Sequence, residues 1–447
     1  MRFKLFLVIA ALLVLAVVGL PLVIKDDGSA QGFTQIIISY TLGAITALLG
    51  FSTLWLSCGT LARDIEECQI QVVATKPVAR WQIWLGKWLG IVTLNAALLA
   101  ISGSCVYGLL QYRASKLPPA VQATLRDQIL VARGSAKEPS LENKIQAEAD
   151  RVLQQRLIKA PVDRADVPEL RKQIVEGLRA QVQQVPPGAL RPWQINLSSV
   201  KNSLAGKPLQ LRFKFNTAVP AGTASYGVVW QIGDPPHTKL WRTNMESLAS
   251  ETFYEFVIPP DMFDESGLLT VVFGNPPDNP ALLFSSDDGL EVLYPQGGFS
   301  MNFARGLGII FCWMALLAAL GLAAASILSF PVAAFFAFTM MLVVFSSGTL
   351  ADAVSSGTVA GGNAETGQMY HSFADVVLIP AFKGVLTVIS LAKNYSPIEA
   401  LSTGRSITWS ELGLAFAQIV LLLGGSFAAL GIFLFSRREL ATAQGTQ

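Results

Sequence analysis

Residues 306–351 read GLGIIFCWMALLAALGLAAASILSFPVAAFFAFTMMLVVFSSGTLA, with no Asp, Glu, Lys or Arg among them. As one helix rising 1.5 Å per residue, this run would extend ~69 Å, over twice the ~30 Å hydrocarbon core of a bilayer. It must fold back, and Ser329-Phe330-Pro331 is the place. Proline cannot continue a helix, but it can occupy the first turn of the next one. Two apolar spans result, 306–328 and 331–351, and with them a fold class: an α-helical membrane bundle.

The rest of the chain agrees. Hydrophobic residues make up 52% of its 447 residues and charged ones 14%, where a soluble domain carries about 25% charge. A net charge of +2 argues against a nucleic-acid partner. Further spans are expected at Leu5–Ile24, Gln35–Leu56, Trp88–Tyr112 and Leu412–Phe435. Gly28-Ser29-Ala30 resembles a signal-cleavage site, but the preceding apolar core is longer than the usual 7–15 residues, so an anchored first span is expected. Val376–Ala392 is apolar yet contains Pro380 and Lys383. Arg2 and Lys4 at one end and Arg437 and Arg438 at the other favour two cytoplasmic termini and hence an even number of crossings. Six spans are therefore expected, with 376–392 re-entrant or at the outer interface and Lys383 snorkelling. Ser355–Gly367, rich in small residues, is expected to be an outer loop.

This topology puts residues 113–300 outside. The expected division is a first membrane half (1–112), a helical part (113–189), a β-sandwich or jelly roll (190–300) and a second membrane half (301–447). In the helical part, Leu141, Ile145, Ala149, Val152, Leu153 and Leu157 recur at helical spacing, as do Val167, Leu170, Ile174, Leu178 and Val182. After Pro186-Pro187-Gly188 the period becomes two: Leu209, Leu211, Phe213 and Phe215 alternate with polar residues. Further strands are expected at Tyr226–Ile232, Thr252–Ile258, Leu268–Phe273 and Leu290–Tyr294. Cys58, Cys68, Cys105 and Cys312 all lie outside the insert, which excludes a disulfide framework there. Asp261, Asp264, Glu265 and Asp287-Asp288 lack the spacing of a calcium loop and are expected to be solvated turns.

One cytoplasmic stretch carries a motif. Residues 58–87 include Arg63-Asp64-Ile-Glu66-Glu67, then Pro77-Val78-Ala-Arg80 and Gly86-Lys87. Arg63–Thr75 is expected to form a short helix, acidic in its first turn as the helix dipole favours. Pro77 should end it and start the segment leading into the next span. The result is a charged elbow under the membrane, able to pass a push from a soluble partner into two spans; the plain alternative is a juxtamembrane loop with positive-inside residues.

Arg-Asp-x-Glu, Pro-Val-x-Arg and Gly-Lys-x-x-Gly together resemble the coupling segment of permease subunits of type-2 ATP-binding-cassette exporters. The six-span plan is similar to that family's, as is the ending, Ser396-Pro397-Ile-Glu-Ala-Leu before a last span closed by Arg437-Arg438-Glu439-Leu440. Within the family, the chain looks most like the permeases of multi-copper-enzyme maturation and gliding-type systems. The resemblance covers the membrane halves and not the insert. It implies a multi-pass protein of a bacterial inner membrane, paired with a second permease copy and docked to a cytoplasmic ATPase. Arg63, Asp64, Glu66, Glu67, Pro77 and Arg80 would be its coupling element. Two departures stand out: Cys68-Gln69 replaces the usual Gly-Thr, and only four residues precede the first span, where the family usually has an amphipathic helix.

No Gly-x-x-x-x-Gly-Lys-Ser/Thr run is present, so any ATP would be bound by the partner, and no cofactor is expected in this chain. His237 and His371 suit neither a zinc site nor a triad, and no serine sits in a nucleophile elbow. Gly321/Ala325 and Gly43/Ala47 have the small-residue spacing that permits close helix approach. The alternative function is an assembly factor that transports nothing and acts through the insert on an extracytoplasmic protein. A membrane-bound enzyme is a third class, for which no converging catalytic groups are found.

Overall fold

The computed structural model describes residues 8–9, 11–20, 32, 35–70, 78–159, 167–217, 225–235, 237–286, 288–359 and 372–438. Arg2, Lys4, Lys25 to Ala30, Lys76, Pro77, Asp287, His371, Glu439 and Leu440 lie outside them. The chain forms two compact units, one of Met1–Ala132 with Gly297–Gln447, the other of Arg133–Gln296.

In the first unit, residues 11–20 form α1, followed by α2 (Ile36–Glu66) and α3 (Arg80–Ala114), each long and apolar enough to cross a membrane. Polar residues sit in α2 because their hydroxyls donate to their own helix's carbonyls: Thr46 to Leu42 (2.8 Å), Thr53 to Leu49 (2.6 Å) and Ser57 to Leu54 (3.0 Å). After α3, residues 115–132 stay with this unit, because Leu125 is buried in its core with Leu117, Val121 and Ile129 beside it. The first compact unit thus runs on past residue 112, through Ala132.

The second unit opens on β1 (Val131–Ala136), a strand inside the stretch expected to be helical. Its sequence, Val-Ala-Arg-Gly-Ser-Ala, has little apolar signal. The helical pair follows as expected: α4 (Glu142–Lys159) and α5 (Val167–Gln183) bury Ile145, Ala149, Leu153, Ile174 and Val175 against each other. Arg171 and Arg179 bridge to Asp150 and Glu142, each at 2.8 Å. Among the described residues, eleven further strands follow: β2 (Gln184–Val185), β3 (Leu190–Asn196), β4 (Leu209–Phe213), β5 (Asn216–Thr217), β6 (Ser225–Ile232), β7 (Trp241–Arg242), β8 (Glu246–Ala249), β9 (Tyr254–Ile258), β10 (Leu268–Gly274), β11 (Leu282–Leu283) and β12 (Leu290–Gly298). They order as β1-β12-β4-β9, β3-β10-β6-β7 with β8 on β6, and β2-β11-β5. The two larger sheets share one core. At its centre the Trp230 ring has Phe213, Phe273, Trp193 and Phe284 at centroid distances of 4.5, 4.9, 5.9 and 5.9 Å.

Away from that core, the first sheet carries a row of charges. Glu291 stands opposite Arg212, and Arg212 opposite Glu255. Arg212 Nη1 donates to Glu291 Oε1 (3.1 Å), Ser135 Oγ to Glu291 Oε2 (2.6 Å), and Arg133 to both Glu255 oxygens (2.8 and 3.3 Å). Burial of Arg133, Arg212 and Glu291 is tolerable because each has a partner, Glu255 meeting both arginines from the more exposed edge. The strands through which the chain leaves and rejoins the first unit are neighbours: a Cβ on Gly297 would lie 3.9 Å from the Ala132 methyl.

The second half of the bundle holds α6 (Phe299–Ala325), α7 (Phe330–Phe345), α8 (Ser347–Ser356), α9 (Asp375–Lys393), α10 (Pro397–Ser402) and α11 (Trp409–Arg437). The break expected at Ser329-Pro331 falls between α6 and α7, with Pro331 in the first turn of α7. α7 and α8 are bent by 56° where they meet. By length and composition the described residues hold five helices able to cross a membrane, or six if that bent pair is one span. Val376–Ala392, expected to be re-entrant or interfacial, lies in α9, an unbroken helix despite Pro380 and part of one of the five candidates. α9 packs against α8: Lys393 Nζ donates to Ser347 Oγ (2.8 Å) at one end, and the Asp375 carboxylate accepts from the Val359 amide (2.9 Å) at the other. The chain therefore leaves the end of α7 at Ser347 and comes back to it at Lys393.

α6 is the central helix, buried along its length against α2, α3 and α11. Its contact with α2 depends on Gly321, where a Cβ would lie 1.9 Å from Ser57 Oγ, whereas a Cβ on Gly43 would meet nothing within 4 Å. Of the two small-residue pairs, that of Gly321 is used within the chain. Gly321→Ala is expected to destabilise the purified protein by about 1–3 kcal/mol, the usual cost of overpacking. Gly43→Ala should leave its thermal unfolding midpoint unchanged.

Candidate functional site

The expected elbow joins α2 to α3, and its ends are set differently from the sequence expectation. Of the expected helix Arg63–Thr75, residues 71–75 lie outside the described residues, and Arg63 to Glu66 belong to α2. Charge alone does not end a helix, so α2 carries Arg63, Asp64 and Glu66 in its last turn. It stops at Glu67 and Cys68, where the Cys68 backbone turns left-handed (φ 59°) and the Glu67 and Cys68 amides donate to Arg63 O and Ile65 O. The acidic residues thus sit at the negative end of their own helix and need partners elsewhere.

They have them. The Asp64 carboxylate pairs with Lys87 Nζ, which also donates to Thr60 O (3.2 Å), tying α2 to α3. Glu66 Oε1 accepts from the Phe330 amide (2.9 Å), one of the orphan N–H groups at the start of α7. The Arg63 guanidinium carbon lies 4.3 Å from the Phe330 ring centroid. On the α3 side, the Ala79 amide donates to Gln82 Oε1 (3.0 Å), which closes the first turn. Arg80 Nη1 donates to the carbonyls of Phe435 (3.1 Å), Ser436 (2.6 Å) and Arg438 (2.9 Å), the last turn of α11. Arg438 Nη1 then donates to Ser326 O (3.1 Å) at the close of α6.

These contacts make a closed circuit of five helix ends: α2 to α7 through Glu66 and Arg63, α2 to α3 through Asp64, α3 to α11 through Arg80, α11 to α6 through Arg438, and α6 to α7 through the chain at 327–329. Of the six positions marked in the sequence, Arg63, Asp64, Glu66 and Arg80 therefore serve inside the chain. Glu67 stays on the outside with Gln69 (Nε2 to Oε2, 2.7 Å), beside exposed Cys68. Pro77 lies outside the described residues. Exposed Val78 and the half-exposed Trp81 ring complete the outer rim.

Lys87, Trp84, Phe330 and Arg438 belong to the site as well. Lys87 and Arg438 had shown as positive-inside charges and as members of the Gly-Lys-x-x-Gly and closing motifs, and Phe330 as part of a helix break, but no local spacing tied any of them to residues so distant in the chain. Among the described residues, no group of His, Cys, Asp and Glu is placed to hold a metal. Comparison with protein-family models, curated proteins and solved structures finds no match.

Asp64 and Lys87 are each only 16% exposed, so their pairing should be measurable. In a double-mutant cycle with Asp64→Asn and Lys87→Gln, thermal unfolding should show a coupling of about 0.5–3 kcal/mol. The same cycle with Glu67→Gln in place of Asp64→Asn should show none.

Proposed function

We propose that this chain is the membrane-spanning permease subunit of an ATP-binding-cassette exporter of the type-2 kind, coupling ATP hydrolysis by a separate cytoplasmic ATPase to export. The observation that carries it is the elbow. Its inner side chains join five helix ends into one circuit, and its outer rim of Glu67, Gln69, Val78 and Trp81 is free for a soluble partner. A push on that rim reaches most of the bundle at once. The motif resemblance, Arg63-Asp64-x-Glu66 with Pro77-Val78-x-Arg80, identifies the partner as the ATPase, which supplies the nucleotide site this sequence lacks.

In this proposal the elbow faces the cytoplasm of a bacterial inner membrane with both termini, residues 113–300 are extracytoplasmic, and a second permease copy completes the translocation path. The buried hydroxyls of the bundle favour a second reading, in place of export. Thr41, Thr53, Ser57, Ser102 and Ser326, all buried, bond to carbonyls of their own helices rather than lining a passage. A chain built this way also suits a mechanical transmitter that acts on an extracytoplasmic protein through the insert and moves no cargo itself.

Co-purification tests the central claim. The proposal requires an ATP-binding-cassette ATPase encoded with this chain that copurifies with it, and Glu67→Lys combined with Trp81→Ala should reduce the recovered complex at least tenfold while the chain still inserts and folds. A complex unchanged by the double variant, or none with the unaltered chain, would refute it.

A further inference from the structure

The run Ser396-Pro397-Ile-Glu399-Ala-Leu401 takes no part in the elbow. It forms most of α10 and the residue before it. α10 is seated on α6 by its apolar side: Leu401 is fully buried, and a Cβ on Gly306 of α6 would lie 2.7 Å from Leu401 Cδ1. Asn302 of α6 holds the chain that follows. Its Nδ2 donates to Arg405 O and its Oδ1 accepts from the Ile407 amide, both at 2.7 Å. Glu399 stands two residues before Leu401, on the other side of the helical turn, and is exposed.

A cavity of about 390 Å³ lies there, its walls including Ser39 at the start of α2, Trp313 in the middle of α6, and Ser396, Ile398 and Glu399. Glu399 is the one charged residue among those described in its lining. The spacing Ser396-x-x-Glu399 is that of a capping box, in which the carboxylate would turn back to the backbone of its own first turn. Thr408-x-x-Glu411 closes such a box at the start of α11. At α10 the box is not made. Ser396 has ψ 72° where Thr408 has 159°, and its side chain caps nothing. Among the described residues the Glu399 carboxylate has no hydrogen bond and no ion pair.

A carboxylate left without its local partner therefore shares a cavity with a half-buried indole and an aliphatic side chain. That is the chemistry that recognises an organic cation: a charge to neutralise it, a ring face that attracts it, and apolar surface for its carbon substituents. A phosphate or carboxylate ligand would meet a like charge there and no cation in the described lining. We propose that this cavity binds an organic ammonium, its charge at Glu399 and its carbon arm against Trp313 and Ile398. Binding at this site requires no ATPase, so it does not depend on the proposed coupling.

Equilibrium dialysis of radiolabelled benzyltrimethylammonium against the full chain in dodecyl maltoside tests it. Saturable binding is expected, at least tenfold weaker in Glu399→Gln and at least fivefold weaker in Trp313→Leu, with the thermal unfolding midpoint of Glu399→Gln unchanged. Ser39→Phe, which fills the cavity from α2, should abolish binding with Glu399 in place. Neopentylbenzene, the uncharged isostere of the probe, should not compete. Displacement of the probe by phosphatidylethanolamine and not by phosphatidylglycerol would mark a lipid amine as the occupant; displacement by ethanolamine with none by phosphatidylethanolamine would mark a soluble cation. Absence of saturable binding to the unaltered chain, equal affinity in Glu399→Gln, or full competition by neopentylbenzene overturns the site.

Discussion

Helix ends are the costly part of a bundle, because the last carbonyls and first amides of each helix lack partners within it. At one end of this bundle the problem is solved jointly. Glu66 of α2 satisfies an amide of α7, Arg80 of α3 satisfies carbonyls of α11, and Arg438 satisfies a carbonyl of α6. The ends of α6, α7 and α11 are each completed by a side chain from elsewhere in the chain, so none of these three can tilt alone without exposing backbone. The packing of α6 against its neighbours, the close fit of Trp84 at Gly431 and the narrow approach at Gly321 all presuppose that the ends are held in register.

The same solution gives the elbow its character. A loop whose charges faced only water would move without consequence. Here Asp64, Glu66 and Arg80 are committed to other helices, and what remains outward is a short rim around Glu67 and Trp81. Side chains committed to other helices and side chains left without such a contact thus share one short stretch; under the proposed function the first would give it stiffness and the second access.

Much of this was legible in the sequence where the signal is local. The fold-back near Pro331, the helical face of Ile145, Ala149 and Leu153, and the alternation of Leu209, Leu211 and Phe213 follow from proline chemistry and from periods of 3.6 and 2. What escaped depends on distance along the chain. Arg80 meets carbonyls 355 to 358 residues away, and nothing near it announces a partner. α2 runs on through Arg63 because charged residues leave helical geometry intact; its end is marked by the left-handed Cys68, a conformation that non-glycine sequence signals poorly. β1 was hidden because its burial comes from Arg133 and Ser135 meeting Glu255 and Glu291, a polar arrangement that resembles a loop in hydropathy.

The insert leaves the bundle on β1 and returns on β12, adjacent strands whose outer ends, at Ala132 and Gly297, nearly touch. A domain joined at so narrow a doorway can be gained, lost or exchanged during evolution without rethreading a single membrane helix. Bundles of this kind carrying unrelated inserts, or none, are the natural outcome of such a joint, and selection can alter the insert while the helices stay as they are.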